Sequence, residues 1–251
     1  MAIHYDEKTR RDVCMYKTTG FYIGCPQHLV RKGGCIKLIA TFTLPLCHHM
    51  SDIDWEDLFG VSDDNDHDDA HGIPGLKLAK DALTHEQQMQ LVHAIAEADY
   101  FQGGKLDQAM CFGDLGPFEW VEPWIRDEYP NLMPSRILER ACLFDQAIIN
   151  LYHKGQGIKS HVDLMRFDDG IVIISLLSSC VMVMKPADPA TLQQRGAIPI
   201  LLRPGDVLAL SGAARYDWEH GIEERMADEV DGEWIERGTR ISVTLRKLLL
   251  K

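Results

Sequence analysis

The sequence predicts an α+β domain whose core is a double-stranded β-helix, or jelly roll, with helices flanking it on the N-terminal side. Three observations predict it. Helix signals cluster between residues 80 and 143, the chain then turns into short β-rich runs, and turn signals separate those runs.

The elements follow in order. Thr84-His85-Glu86-Gln87 has the form of a capping box, and Met89, Val92, Ile95 and Ala96 are expected on one face of the helix it opens. Two further helices, each begun near a proline, are expected around Pro117–Asp127 and Ser135–Leu143. Strands are expected at Ala147–Tyr152, Ile171–Leu176, Cys180–Met184, Ile198–Leu202, Val207–Leu210 and Arg240–Arg246. Turn signals stand between them at Lys154-Gly155-Gln156-Gly157, Asp168-Asp169-Gly170, Arg203-Pro204-Gly205-Asp206 and Asp231-Gly232. The charged stretch from Ile222 to Arg237, with its Asp-Gly turn and Trp234, reads as an exposed hairpin or lid.

Residues 1–72 read differently. The first fifty contain no capped helix start and no sustained periodicity, and the stretch ends in Asp63, Asp64, Asp66, Asp68 and Asp69, a solvated linker lacking the glycine and distal glutamate of a calcium loop. They are expected to form a poorly ordered extension, with the ordered domain at residues 73–251. Met50-Ser51-Asp52 resembles an alternative start. Cys47, His48 and His49 lack the regular spacing of a metal site.

The 251 residues, 45% of them hydrophobic, suffice for one substantial core. No apolar run reaches membrane-spanning length and no signal peptide is recognisable, so a soluble cytoplasmic or nuclear protein, without membrane partners and monomeric, is expected. Seven cysteines without a CxxC pair argue against a disulfide framework or zinc knuckle. The net charge is −12; seven basic against three acidic residues give +4 to residues 1–50 and so −16 to the remainder. An acidic body disfavours non-specific coating of DNA and leaves a local basic rim as the route to nucleic acid.

His161-Val162-Asp163 sets an imidazole and a carboxylate two residues apart, on the same face if the segment is a strand. His220 would complete two histidines and one carboxylate. Three such ligands on one face of a metal leave positions open for a bidentate co-substrate and oxygen, the arrangement of non-haem Fe(II) oxygenases. Taken alone, HxD also arises by chance.

The last strand adds weight. In Arg240-Ile241-Ser242-Val243-Thr244-Leu245-Arg246 the polar residues alternate with apolar ones. Two arginines on an inward face need anions. Their Cα atoms are ~20 Å apart on an extended strand, and with the side chains leaning inward the gap suits a five-carbon dicarboxylate gripped at both ends. The alternative is an edge strand whose arginines face water.

Asn150-Leu151-Tyr152, Gly155-Gln156-Gly157-Ile158, His161-x-Asp163, His220-Gly221-Ile222 and Arg240-x5-Arg246, in that order, resemble the AlkB family of 2-oxoglutarate dioxygenases. The resemblance extends from about Gly75 to Lys251. Within the family, Arg215-Tyr216-x-Trp218-x-His220-Gly221-Ile222 and Arg237-Gly238-x-Arg240 are most similar to the eukaryotic branch whose animal member hydroxylates a tRNA wobble uridine. That member's RNA-recognition and methyltransferase domains have no counterpart in these residues.

The resemblance implies iron at His161, Asp163 and His220, the distal carboxylate of 2-oxoglutarate at Arg240, Ser242 and Tyr152, and its chelating end near Arg246 and Asn150. It implies a reaction that consumes O2 and 2-oxoglutarate and releases succinate and CO2 as a C–H bond of a modified base is hydroxylated. On an N-methyl group this ends in demethylation. One position departs from the pattern. Where the bacterial repair enzymes have an acidic residue two places after the metal aspartate, this chain has Met165.

Lys154, Lys159, Arg166 and Lys185 could form a basic rim for phosphates or simply be solvated. Tyr216 and Trp218 could stack on a base or belong to the core. Met165 and Arg166 are the remaining candidate substrate contacts. Three hypotheses stand beside one another: oxidation of a modified nucleic-acid base in RNA, tRNA or DNA; the same chemistry on a protein or small molecule; and a non-catalytic β-barrel binding module.

Overall fold

The computed structural model describes residues 70–249. The readings made for residues 1–69, including the Met50 start, the Cys47-His48-His49 triplet and the acidic run, lie outside them. The described chain opens with a 3-10 turn at Ala70–Gly72. Twelve strands follow: β1 (Leu76–Ala79), β2 (Gln108–Phe112), β3 (Gln146–Tyr152), β4 (Ile158–His161), β5 (Ile171–Leu176), β6 (Cys180–Pro186), β7 (Ile198–Leu202), β8 (Val207–Leu210), β9 (Trp218–Ile222), β10 (Ala227–Val230), β11 (Glu233–Glu236) and β12 (Arg240–Arg246). The helices are α1 (His85–Glu97), α2 (Val121–Glu128), α3 (Ser135–Leu138), α4 (Pro189–Arg195) and α5 (Gly212–Tyr216).

Two antiparallel sheets make the expected jelly roll. One runs β1-β8-β5-β12-β3-β2 and the other β4-β9-β6-β7, while β10 and β11 stand apart as a hairpin. The inner strands β8, β5 and β12 of the larger sheet are buried on both faces, which explains why β5 reads Ile-Val-Ile-Ile without alternation. Val172 and Ile174 join Ile149, Val243 and Leu245 against α1 and α2, where Leu91, Ile95, Val121 and Ile125 complete a core. Ile171 and Ile173 face the second sheet and pack with Met182, Met184, Ile200 and Trp218. The site therefore has a fully packed wall behind it and opens between the two sheets.

Several expectations need correction. The capping box forms, with the Thr84 side chain accepting from Gln87 N–H and the Gln87 side chain accepting from Thr84 N–H. The buried positions of α1, however, are Leu91 and Ile95, while Met89 and Ala96 are exposed. Ile95 stacks over the residue four back, and Met89 lies roughly 120° around the helix from it. The helix expected over Ser135–Leu143 stops at Leu138. Arg126 on α2 takes the Leu138 and Arg140 carbonyls, and Glu122 accepts from Leu143 N–H at 3.0 Å, so α2 replaces the next helical turn. Among the described residues no helix is long and apolar enough to cross a membrane.

Candidate active site

β4 and β9 carry the two histidines to each other. They pair antiparallel with His161 opposite His220, but Ile158 opposes Ile222, so β4 has one residue more than its partner. This bulge lets both Ile158 and His161 face the cavity although they are three positions apart. Two glycines permit the approach. A Cβ on Gly221 would stand 2.7 Å from Ser160 N, and one on Gly157 would stand 2.1 Å from Ile222 O. The imidazole centroids lie 4.5 Å apart with the rings tilted by 49°.

Asp163 is held by other means. The strand ends at His161, so the expectation that both residues of His161-x-Asp163 sit on one strand fails for Asp163. Arg215, on α5 and only 1% exposed, reaches under the following loop. It donates to the carbonyls of Asp163 at 3.1 Å, Leu164 at 2.9 Å and Phe167 at 3.1 Å. Three carbonyls converging on one guanidinium fix the loop, and with it the carboxylate.

The ligand atoms of His161, Asp163 and His220 all lie within 4.8 Å of one another and could hold a metal ion. The donor set fits a divalent cation. Asp163 Oδ2 is buried with no hydrogen-bond partner, 3.6 Å from His220 Nε2. Burial lowers the His220 pKa to about 4 against the opposing pull of Asp163, so the ring is neutral near pH 7, the form that binds metal. His161 Nδ1–H donates to the Lys159 carbonyl at 2.9 Å, which leaves Nε2 free as a ligand.

β12 lies beside this cluster with Arg240, Ser242, Thr244 and Arg246 all facing the cavity. Arg246 contacts Asp163 Oδ1 and packs over Phe167. Arg240 sits six residues away along the strand, over the Tyr152 ring, with Nε donating to Ser175 Oγ at 3.0 Å. Both of its terminal nitrogens are buried without partners. Burial raises the pKa of Tyr152 against the pull of Arg240, keeping its hydroxyl protonated as a donor. Asn150 Oδ1 accepts from the Gln108 side chain at 2.7 Å, which orients its amide. One end of the cavity thus presents a metal-type cluster and the other an unpaired guanidinium fork. That pattern accommodates a small dicarboxylate.

The substrate candidates are less unified. Met165 is 66% exposed and Arg166 is exposed beside it, directly after Asp163. Trp218 is buried between the sheets and is a core residue, unavailable for stacking on a base. Tyr216 packs against the Arg215 guanidinium and does not line the cavity. The four cations do not make one rim: Lys154 pairs with Glu236, while Lys159 and Lys185 border a separate groove shared with Glu223 and Glu224. The expected hairpin is present, with Asp231 and Gly232 both at positive φ in its turn. Its base is tied down by Arg237, whose Nε and Nη2 donate to Asp228 at 2.6 and 2.7 Å. The roles of Arg215, Ser175 and Asp228 had no signal in the sequence, because each acts on a group distant along the chain.

Comparison with known proteins agrees with this arrangement. Residues 127–246 match the 2OG-Fe(II) oxygenase superfamily. An Acanthamoeba polyphaga mimivirus protein, uncharacterized protein L905, is 28% identical over 191 residues, covering 72% of this chain and 88% of the viral one. The Arabidopsis thaliana alkylated DNA repair protein ALKBH8 homolog is 30% identical over 208 residues, covering 70% of this chain and 59% of that protein. The Macaca fascicularis tRNA (carboxymethyluridine(34)-5-O)-methyltransferase ALKBH8 is 34% identical over 146 residues, covering 51% of this chain but 20% of that protein. The chain thus spans less than two thirds of either ALKBH8 relative. With the jelly roll, the His-Asp-His cluster and these matches together, the chain is an AlkB-like oxygenase that depends on Fe(II), 2-oxoglutarate and O2.

Proposed function

We propose that the protein hydroxylates or demethylates a modified nucleic-acid base, with iron held by His161, Asp163 and His220. Bound there, iron supplies the oxidising chemistry, and the protein supplies geometry, orientation and a dry pocket. Arg240 grips the distal carboxylate of 2-oxoglutarate with the two N–H groups that have no other partner, aided by Ser242 and Tyr152. Arg246 and Asn150 serve the carboxylate nearer the metal. The observation that carries the reading is the unpaired fork of Arg240 facing the same cavity as the histidines.

The nucleic-acid substrate is supported by the tRNA methyltransferase and DNA-repair descriptions of the relatives. Met165, in place of an acidic residue, favours hydroxylation of a base modification over direct repair of methylated adenine or cytosine. A protein substrate is the second reading, supported by the acidic body.

Anaerobic titration of the metal-free protein with Fe(II) and 2-oxoglutarate tests the core, through the visible charge-transfer band of the chelate. The band is expected in wild type and absent in His161→Ala and Arg240→Ala; a folded wild type without it would overturn the reading. Oligonucleotides that slow turnover with a salt-dependent affinity support the nucleic-acid substrate, and indifference to them supports the protein one.

A further inference from the structure

β5 and β12 pair antiparallel as far as Leu176 and Ile241, and one step beyond them stand Leu177 and Arg240. At Leu177 φ is +72°, whereas the other non-glycine residues at positive φ among the described residues are all polar: His71, Asp81, Asp99, Gln102 and Asp231. Aspartate and histidine tolerate that region of backbone space, and a leucine is strained in it. Ser178 N–H donates to the Leu176 carbonyl at 3.0 Å, so Leu177 is the central residue of a tight γ-turn. The turn sets Ser178 against the segment that leads into β12. Its hydroxyl donates to the Ser179 carbonyl at 3.3 Å and accepts from Gly238 N–H at 2.7 Å. Gly238 follows Arg237, itself bound to Asp228, and precedes Arg240 by two residues. Strain of this kind persists only where the surrounding contacts over-determine it, and it collects at ligand sites.

We propose that Ser178 is a positioning residue for Arg240: its bond to Gly238, set by the strained turn at Leu177, fixes the backbone from which the guanidinium reaches the co-substrate. This rests on the assignment of Arg240 to the distal carboxylate of 2-oxoglutarate. The need for it arises from the fork. Both terminal nitrogens of Arg240 are buried without partners, and a buried charge in that condition gains by turning to any acceptor within reach. Ser175 restrains the side chain at Nε alone. A single bond there leaves the direction of the fork dependent on where the Arg240 backbone stands. Pinning Gly238 keeps that backbone in place, so the unpaired N–H groups stay aimed at the cavity before a carboxylate arrives.

Ser178→Ala removes the acceptor, and Ser178→Thr retains it. The measurements are 2-oxoglutarate affinity of the Mn(II)-loaded protein by anaerobic calorimetry, and Mn(II) affinity without 2-oxoglutarate, which reports the metal end and the fold. Ser178→Ala is expected to bind 2-oxoglutarate about tenfold more weakly and Mn(II) as wild type does. Ser178→Thr is expected to restore the 2-oxoglutarate affinity. In an Arg240→Met background, Ser178→Ala is expected to weaken 2-oxoglutarate binding no further, because its effect passes through the guanidinium. Unchanged 2-oxoglutarate affinity in Ser178→Ala overturns the proposal. So does an equal weakening in the Arg240→Met background, a weakening that Ser178→Thr fails to restore, or a parallel loss of Mn(II) affinity. Arg240→Met binding 2-oxoglutarate like wild type would instead overturn the co-substrate assignment beneath it.

Discussion

Ser175 Oγ on β5 accepts from Arg240 Nε on β12 at 3.0 Å, and this one bond aims the two unpaired ends of the guanidinium into the cavity. Ser175 and Ser242 are register partners across those strands, so the sheet itself sets the orientation. Arg240→Met is therefore expected to weaken 2-oxoglutarate binding at least about a hundredfold, since a buried charge-assisted pair contributes on the order of 3 kcal/mol. Its metal-free stability should not fall, because the charge removed is an unpaired one. Calorimetric titration and urea unfolding check the two halves. Ser175→Ala should cost less, about tenfold in affinity, by loosening the fork.

Arg215 acts on backbone where Arg240 waits for ligand. Replacing it with methionine leaves the Asp163, Leu164 and Phe167 carbonyls without their donor. A loss of about 3 kcal/mol in unfolding free energy is expected, together with weaker Mn(II) binding, because the loop that presents Asp163 loosens. Retained stability with unchanged metal affinity would refute the anchoring role.

The approach of β4 to β9 depends on Gly221. A Cβ there would meet Ser160 N and Cα at 2.7 and 2.8 Å, both backbone atoms that cannot step aside. Gly221→Ala should destabilise the fold by about 2–4 kcal/mol and separate the two histidines. Thermal unfolding and Mn(II) titration of the variant test both effects.

His220 makes the metal-free protein sensitive to acid. Its pKa falls from the ordinary 6.5 to about 4 on folding, chiefly through burial. Above pH 6.5 the ring is neutral in both states and stability is undiminished. As the pH drops from 6.5 towards 4, the unfolded chain takes up the proton first, and stability is lost. The loss should reach about 3 kcal/mol below pH 4. Urea midpoints at pH 7.5, 6 and 4.5 should show this slope, and His220→Gln should flatten it.

The hairpin of β10 and β11 presents Trp234, 68% exposed, on a strand whose base is fixed by Arg237 and Asp228. Shortening residues 229–235 to a two-residue turn keeps that ion pair. The variant is expected to bind Mn(II) and 2-oxoglutarate as wild type while changing its preference among substrates. Equal loss of metal binding would argue against a lid.

Much of this arrangement was legible beforehand. The alternation of Arg240 to Arg246 identified the inward face of β12, because side-chain direction on a strand has a strict period of two. The apolar strands were found for a different reason, since burial on both faces leaves an unbroken hydrophobic run. The short strands β1, β2, β4 and β9 were not, and neither were α4 and α5. None of them is a nearly unbroken apolar run, as the equally short β7 and β8 are, and each exists because a neighbouring strand or loop supplies its hydrogen bonds. Of the two readings of Trp218, the core one holds: it shares a face of β9 with His220, but at its end of the strand Met182, Met184 and Ile200 cover that face.

By itself, then, the sequence determined the fold class, the ligand types and the pair of arginines, all of which are carried by residue identity and local spacing. Tertiary structure alone decided the rest: the bulge that turns His161 inward, the carbonyls that Arg215 gathers beneath Asp163, and the Ser178 hydroxyl that meets Gly238 N–H. These depend on groups tens of residues apart meeting in a packed interior. There hydrogen bonding is settled by which partners remain after water has been excluded, and no local pattern encodes that outcome.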